Sequence, residues 1–136
     1  ESCAAHVDAL EEAGARITRD PAGIPTAVTG EWGAGGPVIA ILGEYDALPE
    51  LGQEPGVAEE RPLGRFGHGC GHNLLGSAAM MAAVTLGDWL AETGTPGRVR
   101  YCGCPAEEGG AAKTFMVPAG LFDDVDAAIS VSARTA

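Results

Sequence analysis

The sequence predicts an α/β fold: a three-layer open sheet with a largely parallel core, flanked by helices. Three observations carry the prediction. Residues 38–42, VIAIL, form an unbroken apolar run stopped by Gly43, which suits a strand buried on both faces of a parallel sheet. Residues 74–90 are apolar nearly all round and rich in Ala and Met, and their length assigns them to a helix. Further strand-like runs at 98–104 and 127–131 then alternate with helical stretches, the pattern of an α/β sheet.

The elements follow in order. Residues 2–17 read as a helix, because Val7, Leu10, Ala13 and Ile17 recur at three- and four-residue steps. His6 falls in this helix and is expected at the surface. Residues 25–32 alternate loosely and read as a strand, and Gly33 to Gly36 make a turn into Pro37 and the apolar run. Residues 49–67, rich in Pro, Gly and Glu, read as a long loop, an insertion or a site-covering segment. The helix at 74–90 is expected to be largely buried, with Met80 and Met81 as core filler. Gly94 and Pro96 end it. Residues 98–104 alternate as a strand, 110–118 suggest a further helix broken at Pro118 and Gly120, and 127–131 form the last strand. Between these last two, Asp123, Asp124 and Asp126 read as a solvated acidic turn.

The 136 residues make one domain with enough length for a core. Eight basic residues face 19 acidic ones, a formal charge of −11. That balance argues against nucleic-acid binding, which needs a Lys/Arg surplus, and against an acidic membrane surface. No stretch reads as a transmembrane span and the start does not resemble a signal peptide, so the expected location is cytoplasmic. The chain begins at Glu1 rather than Met and stops at Ala136 soon after an apolar run, so both ends read as cut. Among the cysteines, Cys102 and Cys104 would share one side of a strand as ordinary small core residues. Cys3 is uninformative. Cys70 stands apart, because it lies between His68 and His72.

The polar residues cluster after the strands. GEYDALP (43–49) follows the run at 38–42, PAEEGG (105–110) follows 98–104, and HGCGHN (68–73) opens the long helix. Ligands in open α/β sheets bind beyond the carboxyl ends of the strands, where these segments would converge. Thiolate and imidazole suit borderline-soft divalent metals, and the glycines around Cys70 and His72 allow a tight wrap. Glu107 and Glu108 pair two carboxylates, suited to one binding a cation and the other moving protons. Asp46 is placed to fix a histidine ring by a hydrogen bond, with Glu44 beside it. The third glycine of a dinucleotide loop is replaced by His72, and neither a phosphate-binding loop nor a serine nucleophile elbow is present.

Taken together, GEYDALP, GHGCGHNLLG, GCPAEEGGAAKTFM and LFDDVDAA resemble the aminoacylase and glutamate-carboxypeptidase type of metallopeptidase. Within it they resemble the amidohydrolase branch that includes the bacterial aminobenzoyl-glutamate hydrolases. The resemblance runs in order from about residue 38 to 129 and also covers the insertion between GEYDALP and GHGCGH. It implies a catalytic domain with two divalent ions, zinc or manganese, that cleaves the amide bond of an N-acyl amino acid or aminobenzoyl-glutamate-like small molecule. By motif, Cys70, His72 and Glu108 match metal ligands and Glu107 the catalytic base. Glu44 sits where some relatives place a ligating histidine, Asp46 matches the acid beside it, and His68 matches a motif residue to which no ligand role is assigned. The resemblance also implies a homo-oligomer or a related subunit as partner. Residues 1–136 would be the N-terminal part of the catalytic domain, without its dimerisation domain.

Ser132 departs from the pattern, because it stands where the family carries a ligating histidine. The site is therefore expected to be partial, and the chain alone weak in metal binding and inactive. A degenerate, inactive relative and a cysteine-dependent hydrolase using Cys70 are the competing readings.

Overall fold

The computed structural model describes residues 1–132. The first helix, α1 (Ser2–Glu12), turns Val7, Leu10 and also His6 inward. It stops earlier than the periodicity suggests, because Gly14 takes a left-handed φ of 71° that terminates the helix. Ile17 then belongs to a strand, β1 (Arg16–Arg19). A 3₁₀ turn at Pro21–Gly23 leads to β2 (Val28–Ala34), and the Gly35–Gly36 turn leads to β3 (Val38–Glu44). The long helix α2 (His72–Thr93), β4 (Gly97–Cys104), the short helix α3 (Lys113–Met116) and β5 (Ala127–Ser130) complete the chain.

The five strands form one sheet in the order β1-β2-β4-β3-β5. β3 is interior, parallel to β4 on one side and to β5 on the other. The other two pairings, β1 with β2 and β2 with β4, are antiparallel, so the expected parallel core of β4, β3 and β5 is extended on one side into a mixed sheet. The reason is connectivity. β3 reaches β4 through the crossover of α2, and β4 reaches β5 through the crossover that carries α3, as parallel strands require, whereas shorter turns on either side of β2 reverse the chain.

Two cores sandwich the sheet. On one face α1 and α2 pack Val7, Leu10, Ala79, Ala83 and Leu90 against Trp32, Ile41, Val99 and Tyr101. On the other, Met116 with Leu121 and Phe122 covers Ala27, Ala40, Cys102 and Cys104. Cys102 and Cys104 are thus core residues, and burial pushes their thiols up to about 12 and about 11.

The helix α2 buries one stripe, not most of its surface. His72, Gly76, Ala79, Ala83, Gly87 and Leu90 face inward, while Leu74, Met81 and Trp89 are exposed. Contrary to the sequence expectation, its length and mean hydropathy of 1.4 would suffice to cross a membrane; here its buried stripe lies along the sheet. The acidic turn is not simply solvated either. Asp124 pairs with Arg100 and Arg98, and an Asp126 carboxylate oxygen accepts the Val38 N–H at 2.8 Å.

Segment 49–67 is an ordered excursion. Leu48 and Gly67 exchange two backbone hydrogen bonds of 2.9 Å, and a second bridge joins Gln53 to Pro62. This closure returns the chain to the end of β3, which is how residues near position 46 come to face residues near position 70.

Candidate metal centre

The site forms where β3 and β4 end and α2 begins. β3 delivers Glu44 at its last residue and Asp46 just beyond, while the loop after β4 delivers Glu107 and Glu108. Gly71, at a left-handed φ of 77°, turns the chain into α2 so that His72 is its first residue. Gly76, one turn on, lets α2 approach β3 closely: a Cβ there would lie 2.4 Å from the Glu44 carbonyl oxygen.

His72 is the hub. Its ring is buried, with Nδ1 2.8 Å from Asp46 Oδ1 and Nε2 3.7 Å and 3.8 Å from carboxylate oxygens of Glu44 and Glu107. The other Asp46 oxygen accepts the Glu108 backbone N–H at 3.1 Å. Burial opposes ionisation of Asp46, but the Glu108 N–H and the His72 ring outweigh it and hold the carboxyl below its usual range. An ionised carboxylate only accepts, so His72 Nδ1 carries the hydrogen and the lone pair sits on Nε2.

Two groups of donor atoms result, each lying within 4.8 Å of one another: Cys70, His72 and Glu108, and Glu44, His72 and Glu107. A tetrahedral ion with bonds of about 2.0–2.3 Å separates its ligand atoms by roughly 3.3–3.8 Å. Closing the first group around an ion needs movements of only about an ångström. Its sulfur, nitrogen and oxygen donors also match the chemistry of zinc-like ions, so these residues fit a metal. Cys70 is exposed, and its hydrogen bond to Glu108, with the nearby carboxylates, pushes its thiol up.

Not every candidate joins a donor group. His68 Nδ1 is buried without a hydrogen-bond partner among the described residues, and His68 lines a cavity of about 240 Å³ with His6, Tyr45, Asn73 and Ser77. Ser132 lies exposed beyond β5, one strand over from Glu44, and positions 133–136 that follow it are outside the described residues. A larger cavity of about 600 Å³ adjoins the donors, lined in part by Tyr45, Asp46, Leu48, Pro105 and Glu108.

Two contributors were missed in the sequence. Lys113 forms an ion pair with Glu44 from the start of α3. A lone lysine inside an Ala- and Gly-rich stretch of a strongly acidic chain was the available signal. His6, expected at the surface, is buried beneath the site: its Nδ1 lies 2.7 Å from the Tyr101 hydroxyl and its ring packs on Tyr45.

The fold and site together define an α/β domain with a thiol–imidazole–carboxylate centre at the carboxyl edge of its parallel strands. The chain belongs to peptidase family M20/M25/M40, whose profile matches residues 40–134. It is 55% identical over 124 residues to a p-aminobenzoyl-glutamate hydrolase of Escherichia coli, covering 90% of this chain and 26% of that protein. It is 37% identical over 113 residues to the mouse Xaa-Arg dipeptidase, covering 76% of this chain and 23% of the relative. A Bacillus subtilis structure described as a dinuclear metal-binding peptidase from the M20 family superposes with a TM-score of 0.78 at 29% identity, covering 95% of this chain and 35% of that one. The chain therefore spans about a quarter of the length of these curated relatives.

Proposed function

We propose that this chain is the N-terminal, metal-holding part of an amidohydrolase catalytic domain that cleaves a small N-acyl amino acid or aminobenzoyl-glutamate-like amide. The convergence of Cys70, His72 and Glu108 at one point, with Glu107 beside them, carries the reading. The relatives' names supply its direction, since they include a p-aminobenzoyl-glutamate hydrolase and a dipeptidase.

In this reading Cys70, His72 and Glu108 hold a zinc or manganese ion, and a second ion draws on further ligands of the longer protein. When bound, such ions polarise a carbonyl and make water more acidic. The chain's own residues do the rest. Asp46 fixes the His72 ring through Nδ1. Glu107, whose side chain is 41% exposed, is free to take a proton from the attacking water and return it to the departing amine nitrogen. Bond and proton then balance: water's oxygen joins the carbonyl carbon, the C–N bond breaks, and the amine leaves protonated.

Cys70 is poorly suited to act as a nucleophile. Its thiol is pushed up by Glu108, whereas a cysteine nucleophile needs a depressed one. The full protein is further proposed to assemble with a second copy or a related subunit. A cytoplasmic location is part of the same proposal, supported by four free cysteines. The test is hydrolysis of p-aminobenzoyl-glutamate and N-acyl amino acids by the protein loaded with Zn²⁺ or Mn²⁺. Activity that a chelator abolishes and Glu107→Gln lowers by about 10²–10⁴-fold, the usual worth of a general base, supports the proposal. Turnover untouched by chelation sinks it.

A further inference from the structure

The two donor groups cannot both be served by His72. Each needs an imidazole nitrogen, and both use the same ring. Nδ1 is committed to Asp46, which leaves the single lone pair on Nε2. That one nitrogen lies 3.7 Å and 3.8 Å from the Glu44 and Glu107 oxygens of one group and is also drawn on by the Cys70 and Glu108 group, so it can serve only one of the two at a time.

We propose that Lys113 decides the choice: its ammonium occupies Glu44 as a tethered cation and thereby reserves His72 for an ion held with Cys70 and Glu108. The inference rests on the assignment of Cys70, His72 and Glu108 as metal ligands given above. The Lys113 ammonium is bound to one oxygen of the Glu44 carboxylate, whose other oxygen is the one facing His72. The pair is half-sheltered, with side-chain exposures of 32% for Lys113 and 12% for Glu44. A divalent ion held by Glu44, His72 and Glu107 would sit one carboxylate away from a fixed positive charge, where repulsion is strong. The Cys70 and Glu108 group has no such neighbour in the ion pairs of the described residues.

The two groups also differ in chemistry. Cys70, His72 and Glu108 offer sulfur, nitrogen and oxygen, which favours borderline-soft ions. Glu44, His72 and Glu107 offer one nitrogen and two oxygens, which favours harder ions such as Mn²⁺. Lys113 thus acts as a positioning residue that biases the centre toward a thiolate-bound ion.

The experiment is a titration of the full chain with Co²⁺, read by the thiolate-to-cobalt charge-transfer absorption, alongside Mn²⁺ affinity. The parent is expected to show the charge-transfer band. Lys113→Met should lose most of the band per bound Co²⁺ and gain Mn²⁺ affinity on the order of tenfold, the scale of one charge-assisted interaction. Lys113→Arg, which keeps the cation, should behave as the parent. The double variant Lys113→Met, Glu44→Gln should recover the band, because the competing group is removed along with the lysine. That recovery also separates the inference from simple misfolding of Lys113→Met, which a second removal would not repair. A parent band left unchanged in Lys113→Met overturns this inference alone. A parent chain that gives no thiolate band overturns both it and the ligand assignment.

Discussion

His72 Nδ1 and Asp46 Oδ1 meet at 2.8 Å although 26 positions separate them in the chain. The same carboxylate reaches the Glu108 backbone N–H with its other oxygen, so Asp46 ties together the segments that carry His72 and Glu108. One acid therefore sets the tautomer of the imidazole and the placement of the loop after β4.

Replacing Asp46 removes both ties. Asp46→Ala is expected to weaken metal binding by about 10–100-fold, the usual effect of losing the group behind a metal-bound histidine. Asp46→Asn should recover part of the loss, because its amide oxygen still accepts from His72, but its NH2 group replaces the oxygen that accepts the Glu108 N–H and can only donate. Competition against a chelating indicator measures this. Equal affinity in Asp46→Ala and the parent would mean that His72 is not a ligand.

Gly76→Ala opposes two effects. Alanine improves helix propensity over glycine by about 1 kcal/mol. The added Cβ, however, would lie 2.4 Å from the Glu44 carbonyl oxygen and 3.1 Å from the His6 ring. Overpacking costs about 1–3 kcal/mol, and a backbone carbonyl cannot rotate aside. The clash should win, lowering stability by up to about 2 kcal/mol in denaturant unfolding and weakening metal binding by moving Glu44 and α2 apart. A variant more stable than the parent would refute the close packing of α2 on β3.

The motif residues were legible because their chemistry lies in short runs. Glu107 and Glu108 could be placed from the strand they follow and Cys70 and His72 from the helix they open, and donor atoms of Cys70, His72 and Glu108 lie within 4.8 Å of one another, as do those of Glu44, His72 and Glu107. What was not legible depends on distant partners. Ile17 fits a helical spacing as well as a strand, and only the φ of Gly14 and the pairing with Gly30 decide it. The antiparallel placement of β2 follows from tight turns rather than from periodicity. Burial of His6 rests on Tyr101, 95 positions away, and the Lys113–Glu44 pair spans 69. No local pattern encodes such separations.

Asp124 supplies an acid-side prediction. The hydrogen bond from Arg100, aided by Arg98, holds its carboxyl down to about 2, from an ordinary 3.8. A depressed carboxyl stabilises the fold above its unfolded value and loses that contribution as pH falls toward its folded value. The window is therefore pH 3.8 down to about 2. Because the Asp124 side chain is 45% exposed, solvent screening limits the effect to at most about 1 kcal/mol. Asp124→Asn should be slightly less stable than the parent at neutral pH and equal to it at the acid end, as urea unfolding at each pH would record. A constant gap between the two would remove Asp124 as the source.

His6 governs a milder pH range with the same sign and a different cause. Burial among Tyr45, Tyr101 and α2 desolvates the ring and lowers its pKa from 6.5. The folded chain therefore keeps His6 neutral at pH values where the unfolded chain has already taken up a proton. Stability must fall as pH drops below 6.5 and continue falling until the folded-state value is reached. The slope from this one group cannot exceed about 1.4 kcal/mol per pH unit. Above that window His6 contributes no pH dependence. The parent curve sums every ionisable group of the chain and does not by itself isolate His6. The difference between the parent and His6→Gln does, because glutamine can still pair with the Tyr101 hydroxyl but carries no titrating proton. Urea unfolding at half-unit steps between about pH 5 and pH 8, a range that brackets the ordinary histidine pKa, measures it. The parent should lose stability relative to His6→Gln as pH falls through the lower half of that range. Parallel curves would show that His6 is protonated alike in both states, and that its burial under the Glu44 end of β3 does not hold in solution.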